Sequence, residues 1–331
     1  MRILNFGSVN IDHVYRVPHF VQPGETLASS EYHRYAGGKG YNQSVALARA
    51  GAEVHHAGLI GEDGLWLREA LAADGVNTEH LKTIDYPTGH AIIQVDAAGQ
   101  NSIVLAGGAN QRVAADMIES VLENYGTGDL LLLQNEISSI PTIMRQAAKR
   151  GLGIAFNPAP MTEAVHDYPL DLVNLFIVNE IEAAALSRLP QDAAPEDMLS
   201  SLRQRFPKAH ILLTLGAAGA MVLADDSEPV KIGVLDVPVV DTTAAGDTFI
   251  GYFLATRTSG KPLSAALAHA TVAASICVTR MGASPSIPDR DEVEAGVKNW
   301  QTSVQMKLEE LGIAESDIEA AVSWARKPEA E

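Results

Sequence analysis

The residues best able to do chemistry together lie in Asp241-Thr242-Thr243-Ala244-Ala245-Gly246-Asp247-Thr248-Phe249. Small residues precede an acid, and a helical pattern follows. A helix opening at Ala244-Ala245-Gly246 points unpaired backbone N–H groups at one spot, where the helix dipole favours negative charge. Asp247 stands at the edge of that anion hole. A carboxylate there can take a proton from a hydroxyl as its oxygen attacks phosphorus. Taken alone, Asp247 reads equally well as a first-turn aspartate that only stabilises its helix.

A second segment, Gly37-Gly38-Lys39-Gly40-Tyr41-Asn42-Gln43, has neither Walker spacing nor the Gly-x-Gly-x-x-Gly dinucleotide fingerprint. Its glycines allow another molecule close to the backbone. Asn42 is expected to start a helix, as a plain cap or as a ligand contact. A third segment, Gly7-Ser8-Val9-Asn10-Ile11-Asp12, follows the first apolar run. Asn10 and Asp12, two apart, share one face of an extended chain and together suit the vicinal hydroxyls of a sugar; an Asx turn is the plainer reading. Glu136 ends the run Leu130–Gln134-Asn135, either at a ligand site or as a solvated loop acid. Asn179 and Glu182 stand on one helix face, able to hold a hydrated Mg²⁺ or to cap the helix. Thr214-Leu215-Gly216-Ala217-Ala218-Gly219 is a glycine loop at a strand end, which a tight turn explains equally well. The histidines show no metal spacing, and no Gly-x-Ser-x-Gly elbow is present.

Strand and helix patterns alternate around these segments. Strands are expected at Ile3–Ser8, Val54–Ile60, Leu130–Gln134, Gly153–Asn157, Leu175–Val178 and Ile211–Leu215. Helices are expected at Asn42–Ala50, Leu65–Asp74, Ala114–Asn124, Ile140–Arg150, Glu180–Leu189 and Pro195–Phe206. Continuously apolar strands alternating with helices imply a doubly wound, mostly parallel α/β sheet with helices on both faces. Ligands of such sheets sit beyond the strand carboxyl ends, where the segments above fall. Residues 11–35 and 88–108 alternate like strands without helices, with a hairpin turn at Ala97-Ala98-Gly99-Gln100. They are expected to form a small projecting sheet, a possible lid, or else edges of the main sheet. Beyond residue 240 the chain reads as helical. Residues 1–331 are taken as a single domain, with 295–331 a helical tail.

Hydrophobic residues make up 47% of the 331 and charged ones 20%, enough apolar side chain for a sizeable core. A single cysteine, Cys277, excludes a disulfide framework and a cysteine-based metal site. The net charge of −17 argues against nucleic-acid and anionic-membrane partners. The chain has no apolar run of membrane-spanning length, and no signal peptide is read at its start, so a cytoplasmic location is expected.

In this order the segments resemble the ribokinase (PfkB) family of carbohydrate kinases, from Ile3 to about Pro288. Pro23-Gly24-Glu25-Thr26, Asn157-Pro158-Ala159-Pro160 and Val278-Thr279-Arg280-Met281-Gly282-Ala283-Ser284-Pro285-Ser286 add to the match. The resemblance implies a ribokinase-like fold with a β-sheet lid, and ATP-dependent phosphorylation of a sugar's exocyclic hydroxyl. D-Ribose, giving D-ribose 5-phosphate, is its first candidate. Deoxyribose, fructose, 2-keto-3-deoxygluconate and adenosine are sibling alternatives. A non-catalytic sugar- or nucleotide-binding protein is the alternative of another class. The resemblance further implies Asp247 as base, with Ala244, Ala245 and Gly246 as anion hole. Asn10, Asp12, Gly38, Lys39, Asn42 and Glu136 would bind the sugar. Asn179, Thr214 through Gly219, Gly246 and Thr271 would bind the nucleotide, with Glu182 organising Mg²⁺ through water. Asp241, Thr243, Cys277, Arg280, Gly282 and Ser286 would hold an activating K⁺, several through carbonyls. A homodimer through the lid is also implied. Three residues depart from the pattern: Tyr41, expected beside the sugar in place of a small residue, Met281 in place of a lysine, and Thr271 at an adenine-edge position often filled by His or Asn.

Overall fold

Alternate residues of the same strands bury into two different cores. Leu131, Leu133, Ile154, Phe156, Phe176 and Val178 pack on one face of the sheet, and Leu132, Ala155 and Ile177 on the other. Both faces are therefore covered, which is why these strands are apolar throughout. A computed structural model describes residues 1–224 and 228–310.

In chain order the main elements begin with β1 (Ile3–Phe6), β2 (Asn10–Arg16), β3 (Glu31–Gly37), α1 (Lys39–Arg49), β4 (Val54–Ile60), α2 (Leu65–Ala73) and β5 (Leu81–Thr83). Then come β6 (Gly89–Val95), β7 (Asn101–Ala106), α3 (Ala115–Leu122), β8 (Leu130–Gln134), α4 (Ile140–Lys149), β9 (Gly153–Asn157) and β10 (Leu175–Asn179). The remainder is α5 (Glu180–Ser187), α6 (Pro195–Arg205), β11 (His210–Thr214), β12 (Ala220–Leu223), β13 (Val230–Ile232), α7 (Ala245–Thr258), α8 (Leu263–Cys277) and α9 (Arg290–Glu310). Of the expected tail, residues 311–331 lie outside the described residues.

The large sheet has the order β13-β12-β11-β10-β9-β8-β1-β4-β5. It is parallel except at β12 and β13, which add antiparallel to one edge. The chain starts at β1, builds outward through β4 and β5, then returns to β8 on the other side. The order reverses between β1 and β8, and an open α/β sheet leaves its ligand crevice at such a point. The second sheet, β3-β2-β6-β7, is separate from the first. Its outer pairs are antiparallel and its central pair, β2 with β6, is parallel. Gly99 (φ 78) makes the turn between β6 and β7, so residues 10–37 and 89–106 form a sheet of their own and not edges of the main one.

Helices α1 and α7 pack unusually closely. A Cβ on Gly251 would lie 2.3 Å from Cβ of Ala46, so only glycine lets the two helices approach this far. No helix among the described residues is long and apolar enough to cross a membrane.

Candidate active site

Three residues, Gly7 to Val9, carry the chain from β1 of the large sheet into β2 of the small one. Ser8 ends up beside Glu136, just beyond β8, and its hydroxyl donates to the Glu136 carboxylate. The same oxygen of Glu136 accepts the backbone N–H of Lys39 at 2.9 Å. The β1 end, the β8 end and the start of α1 are thus tied together at the switch point. Glu136 is not the solvated loop acid: burial pushes its pKa up, opposed by Ser8 and Lys39.

Helix α1 starts at Lys39 and not at Asn42. Gly38 takes φ 93, a left-handed turn that brings the chain into the helix three residues earlier than the polar Asn42 suggests. Asn42 therefore caps nothing. It sits in the second turn, and its Nδ2 donates to Asp247 at 3.1 Å. Gln43 donates from Nε2 to the other Asp247 oxygen at 2.8 Å. Tyr41, expected beside the sugar, packs its side chain into the core at 2% exposure. Burial raises its hydroxyl to about 12. Met281 is 63% exposed.

Asp247 lies in the first turn of α7, yet its carboxylate makes no capping bond to that helix. Both oxygens are spent on α1, which is the arrangement of a held acid and not of a helix cap. Burial pushes its pKa up; Lys39, Gln43 and Asn42 act in the opposite direction. Just before it, Ala244 is held at φ 60, a costly conformation for alanine that turns the chain into the helix. Ala245 N–H is partnered by Thr242 O at 3.2 Å. The N–H groups of Gly246 and Asp247 have no acceptor among the described residues, and a Cβ on Gly246 would meet open space. Of the three amides expected to form an anion hole, that of Ala245 is therefore taken and that of Gly246 is open.

The Lys39 ammonium has its pKa raised, first by Asp247, then by Glu136 and Glu182, against the cost of burial. Asn10 and Asp12 occupy β2 in extended conformation on one face, so neither forms an Asx turn. Asn10 Oδ1 accepts from Asn110 at 2.8 Å. Burial raises Asp12 to about 6, helped by the negative charge of Glu136.

A cavity of about 560 Å³ lies on the other side of the α7 N-terminus. Thr214, Gly216, Ala217, Gly219, Gly246 and Thr271 line it, as do Val234, Leu235, Val237, Val239 and Phe249. Thr271 Oγ1 is buried without a partner among the described residues. Asn179, Leu215 and Ala218 are absent from the lining. Leu215 and Ala218 close the tight turn through Leu215 N–H to Gly219 O and Ala218 N–H to Leu215 O. Asn179 pairs with Thr214 across β10 and β11 and forms a full capping box with Glu182, so the capping reading of this pair holds.

The segments around Asp241 also converge. One Asp241 oxygen accepts from Thr243 N and Oγ1 at 2.9 and 2.6 Å, and the other from Gly282 N at 2.9 Å. Cys277 Sγ lies 3.0 Å from Ser286 Oγ and 3.7 Å from Thr243 O. The Arg280 guanidinium is taken by Glu292, leaving only its carbonyl for this corner.

Several polar residues at the site carried no role in the sequence reading: Gln43, Asn110, Gln134 and Asn157. Gln134 had a signal, a lone amide closing a strand of leucines. Gln43 had none: only the structure shows that it sits among residues 40–47, all buried. The apolar wall of Val234 to Val239 was signalled only by valine content.

Residues 2–290 match the pfkB family of carbohydrate kinases. A ribokinase of Haemophilus influenzae is 38% identical over 294 residues, spanning 86% of this chain and 95% of its own. The ADP complex of ribokinase from Cryptococcus neoformans var. grubii is 37% identical, covers 89% of this chain and 99% of its own, and superposes with a TM-score of 0.78. Arabidopsis thaliana ribokinase, complexed with ribose and ATP, is 30% identical, with 90% and 98% covered and a TM-score of 0.79. With fold, motif order and overall likeness in agreement, the chain belongs to the pfkB family of ATP-dependent carbohydrate kinases.

Proposed function

We propose that this kinase transfers the γ-phosphoryl group of ATP to the exocyclic hydroxyl of D-ribose, forming D-ribose 5-phosphate. The observation that carries the reading is the placement of Asp247: its two oxygens are fixed by Asn42 and Gln43, at the junction of an acidic, hydroxyl-binding side and the 560 Å³ cavity. Asn10, Asp12, Gly38, Lys39, Asn42 and Glu136 hold the sugar. Asp247 accepts the proton of the attacking hydroxyl, and its raised pKa makes it a stronger base than a free aspartate. Amides at Gly246 and Asp247 stabilise the negative charge of the transferring group. The Val234–Val239 wall and Thr271 take the base and Thr214 to Gly219 the nearby nucleotide groups.

Mg²⁺ fits this site only with help. Among the described residues no three acidic, histidine or cysteine side chains converge on one point. Phosphate oxygens and water would supply most ligands, with Glu182 ordering the water. Bound there, Mg²⁺ neutralises phosphate charge. Oxygen donors at Asp241, Thr243, Cys277, Arg280, Gly282 and Ser286 suit K⁺, which would fix the loop before Ala244. The small sheet acts as a lid that excludes water. Its exposed Ile103, Val104 and Leu105 suit a homodimer contact. This reading carries a cytoplasmic location, where ATP is the abundant donor. An ADP-release assay over pentoses, deoxyribose, hexoses and nucleosides tests it: D-ribose should give the highest kcat/KM. A higher value with any sibling substrate overturns ribose, and no ADP release with any acceptor overturns the kinase assignment of the site.

A further inference from the structure

Behind the candidate base runs a buried line of amides with a fixed direction. Gln134 Nε2 donates to Gln43 Oε1 at 2.6 Å and to Asn5 Oδ1 at 3.0 Å. Asn5 Nδ2 in turn donates to Gly40 O and Ser44 Oγ, each at 2.8 Å. Ser44 Oγ meets His56 Nδ1 at 2.8 Å. Asn5, Gln43, Ser44, Gln134 and His56 are all 0–1% exposed. Because Gln43 Oε1 is occupied by Gln134, its Nε2 can only face Asp247 and, at 3.3 Å, Asn157 Oδ1. Asn157 reaches Glu182 at 3.4 Å. Five polar side chains in a core are expensive unless satisfied, and the sheet needs none of them for its hydrogen bonds.

We propose that Gln43 is a positioning residue for phosphoryl transfer: anchored by Gln134 and Asn5, it orients the Asp247 carboxylate and keeps it ionised at working pH. This rests on the reading of Asp247 as base. The line brings no second charge, since burial holds His56 neutral with a pKa of about 4. The charged or titratable groups facing Asp247 are Lys39 of α1, Glu136 beyond β8, Glu182 of α5 and Cys277 of α8. Of these only Lys39 opposes protonation. Gln43 supplies a neutral donor to do the same, and a hydrogen bond to a charged group is stronger than one between neutral groups.

The test is the pH profile of kcat in Gln43→Met, which conserves volume and removes the donor, and in Gln43→Glu, which sets a second carboxyl beside Asp247. In Gln43→Met the acid limb should move up by roughly one pH unit, with kcat at neutral pH about tenfold lower and partly regained on raising pH. Gln43→Glu should move it further, and KM for sugar and ATP should stay within about twofold. Gln134→Met, which keeps the Gln43 donor but loosens it, should give a smaller shift of the same sign, and stands in if Gln43→Met does not fold. An acid limb unmoved in the folded Gln43 variants, with only thermal stability reduced, overturns the inference. Asp247→Asn separates the layers: full activity there defeats the base reading, whereas an inactive Asp247→Asn with an unmoved limb in Gln43→Met defeats this inference alone.

Discussion

Asp12→Asn should make the protein more stable and the enzyme worse. Asp12 is raised from 3.8 to about 6 by burial and by Glu136. A carboxyl whose folded pKa exceeds its unfolded one holds its proton more tightly when folded. Its stabilising contribution is complete below the unfolded value near 3.8 and is lost as pH climbs toward 6. At pH 7 the ligand-free wild type carries the full penalty of an ionised, buried Asp12. A shift of about two units at about 1.4 kcal/mol each sets a ceiling of about 3 kcal/mol. For a chain of this length that is about 4 °C in Tm. Asparagine keeps the shape and never ionises, and it also relieves the repulsion from Glu136. Thermal unfolding without ligand, from pH 4 to pH 8, is the assay. The variant should match the wild type near pH 4 and melt progressively higher than it toward pH 7. Calorimetry with ribose should show the opposite trend, a loss of about tenfold or more, because an acceptor for the sugar hydroxyls has gone. A Tm difference that does not grow with pH, or a variant less stable at pH 7, refutes the reasoning.

Asp247→Asn should lower kcat by about 10²-fold or more with Tm preserved; ADP release from the purified variant measures this, and near-normal turnover removes Asp247 from the chemistry. At matched ionic strength, K⁺ should raise kcat above Na⁺ and tetramethylammonium, and Asp241→Ala should abolish the difference; equal rates with all three cations defeat the K⁺ cage. Gly251→Ala should cost about 1–3 kcal/mol by forcing α7 away from α1, seen as a lower Tm; an unchanged melt means the helices yield without strain.

Much of this architecture is readable from residue order alone. Val54–Ile60, Leu130–Gln134 and Gly153–Asn157 are strands at the expected boundaries, because two-sided burial leaves a continuous apolar run. The three-residue β5 and β13 each carry a central lysine and left no such run, and β12, though apolar throughout, is only four residues long. Around the candidate site, glycines and acids could be singled out in the sequence because backbone approach and charge restrict residue type. The start of α1 was not: Asn42 looks like a cap, but Gly38 at φ 93 begins the helix first. Tyr41 was misplaced for the same reason, since helix phase decides which side chain faces the site and which the core. Gln43 was missed because nothing in its surroundings in the sequence marks it as buried, whereas Gln134, closing a run of leucines, could have been found.

The passage from β1 to β2 through Gly7–Val9 divides labour in the molecule. Asp247 and its two holders stand on α1 and α7, locked together at Gly251. Asn10 and Asp12 stand on another sheet. On the proposed reading, the base and its holders share one support, while part of the acceptor surface, Asn10 and Asp12, is mounted on another. If Asn10 and Asp12 contact the acceptor as proposed, substitution at these β2 positions would alter its recognition while the base and its partners keep their spacing. On that reading, the acceptor surface could be altered in part from one small sheet without touching the two bonds that hold Asp247.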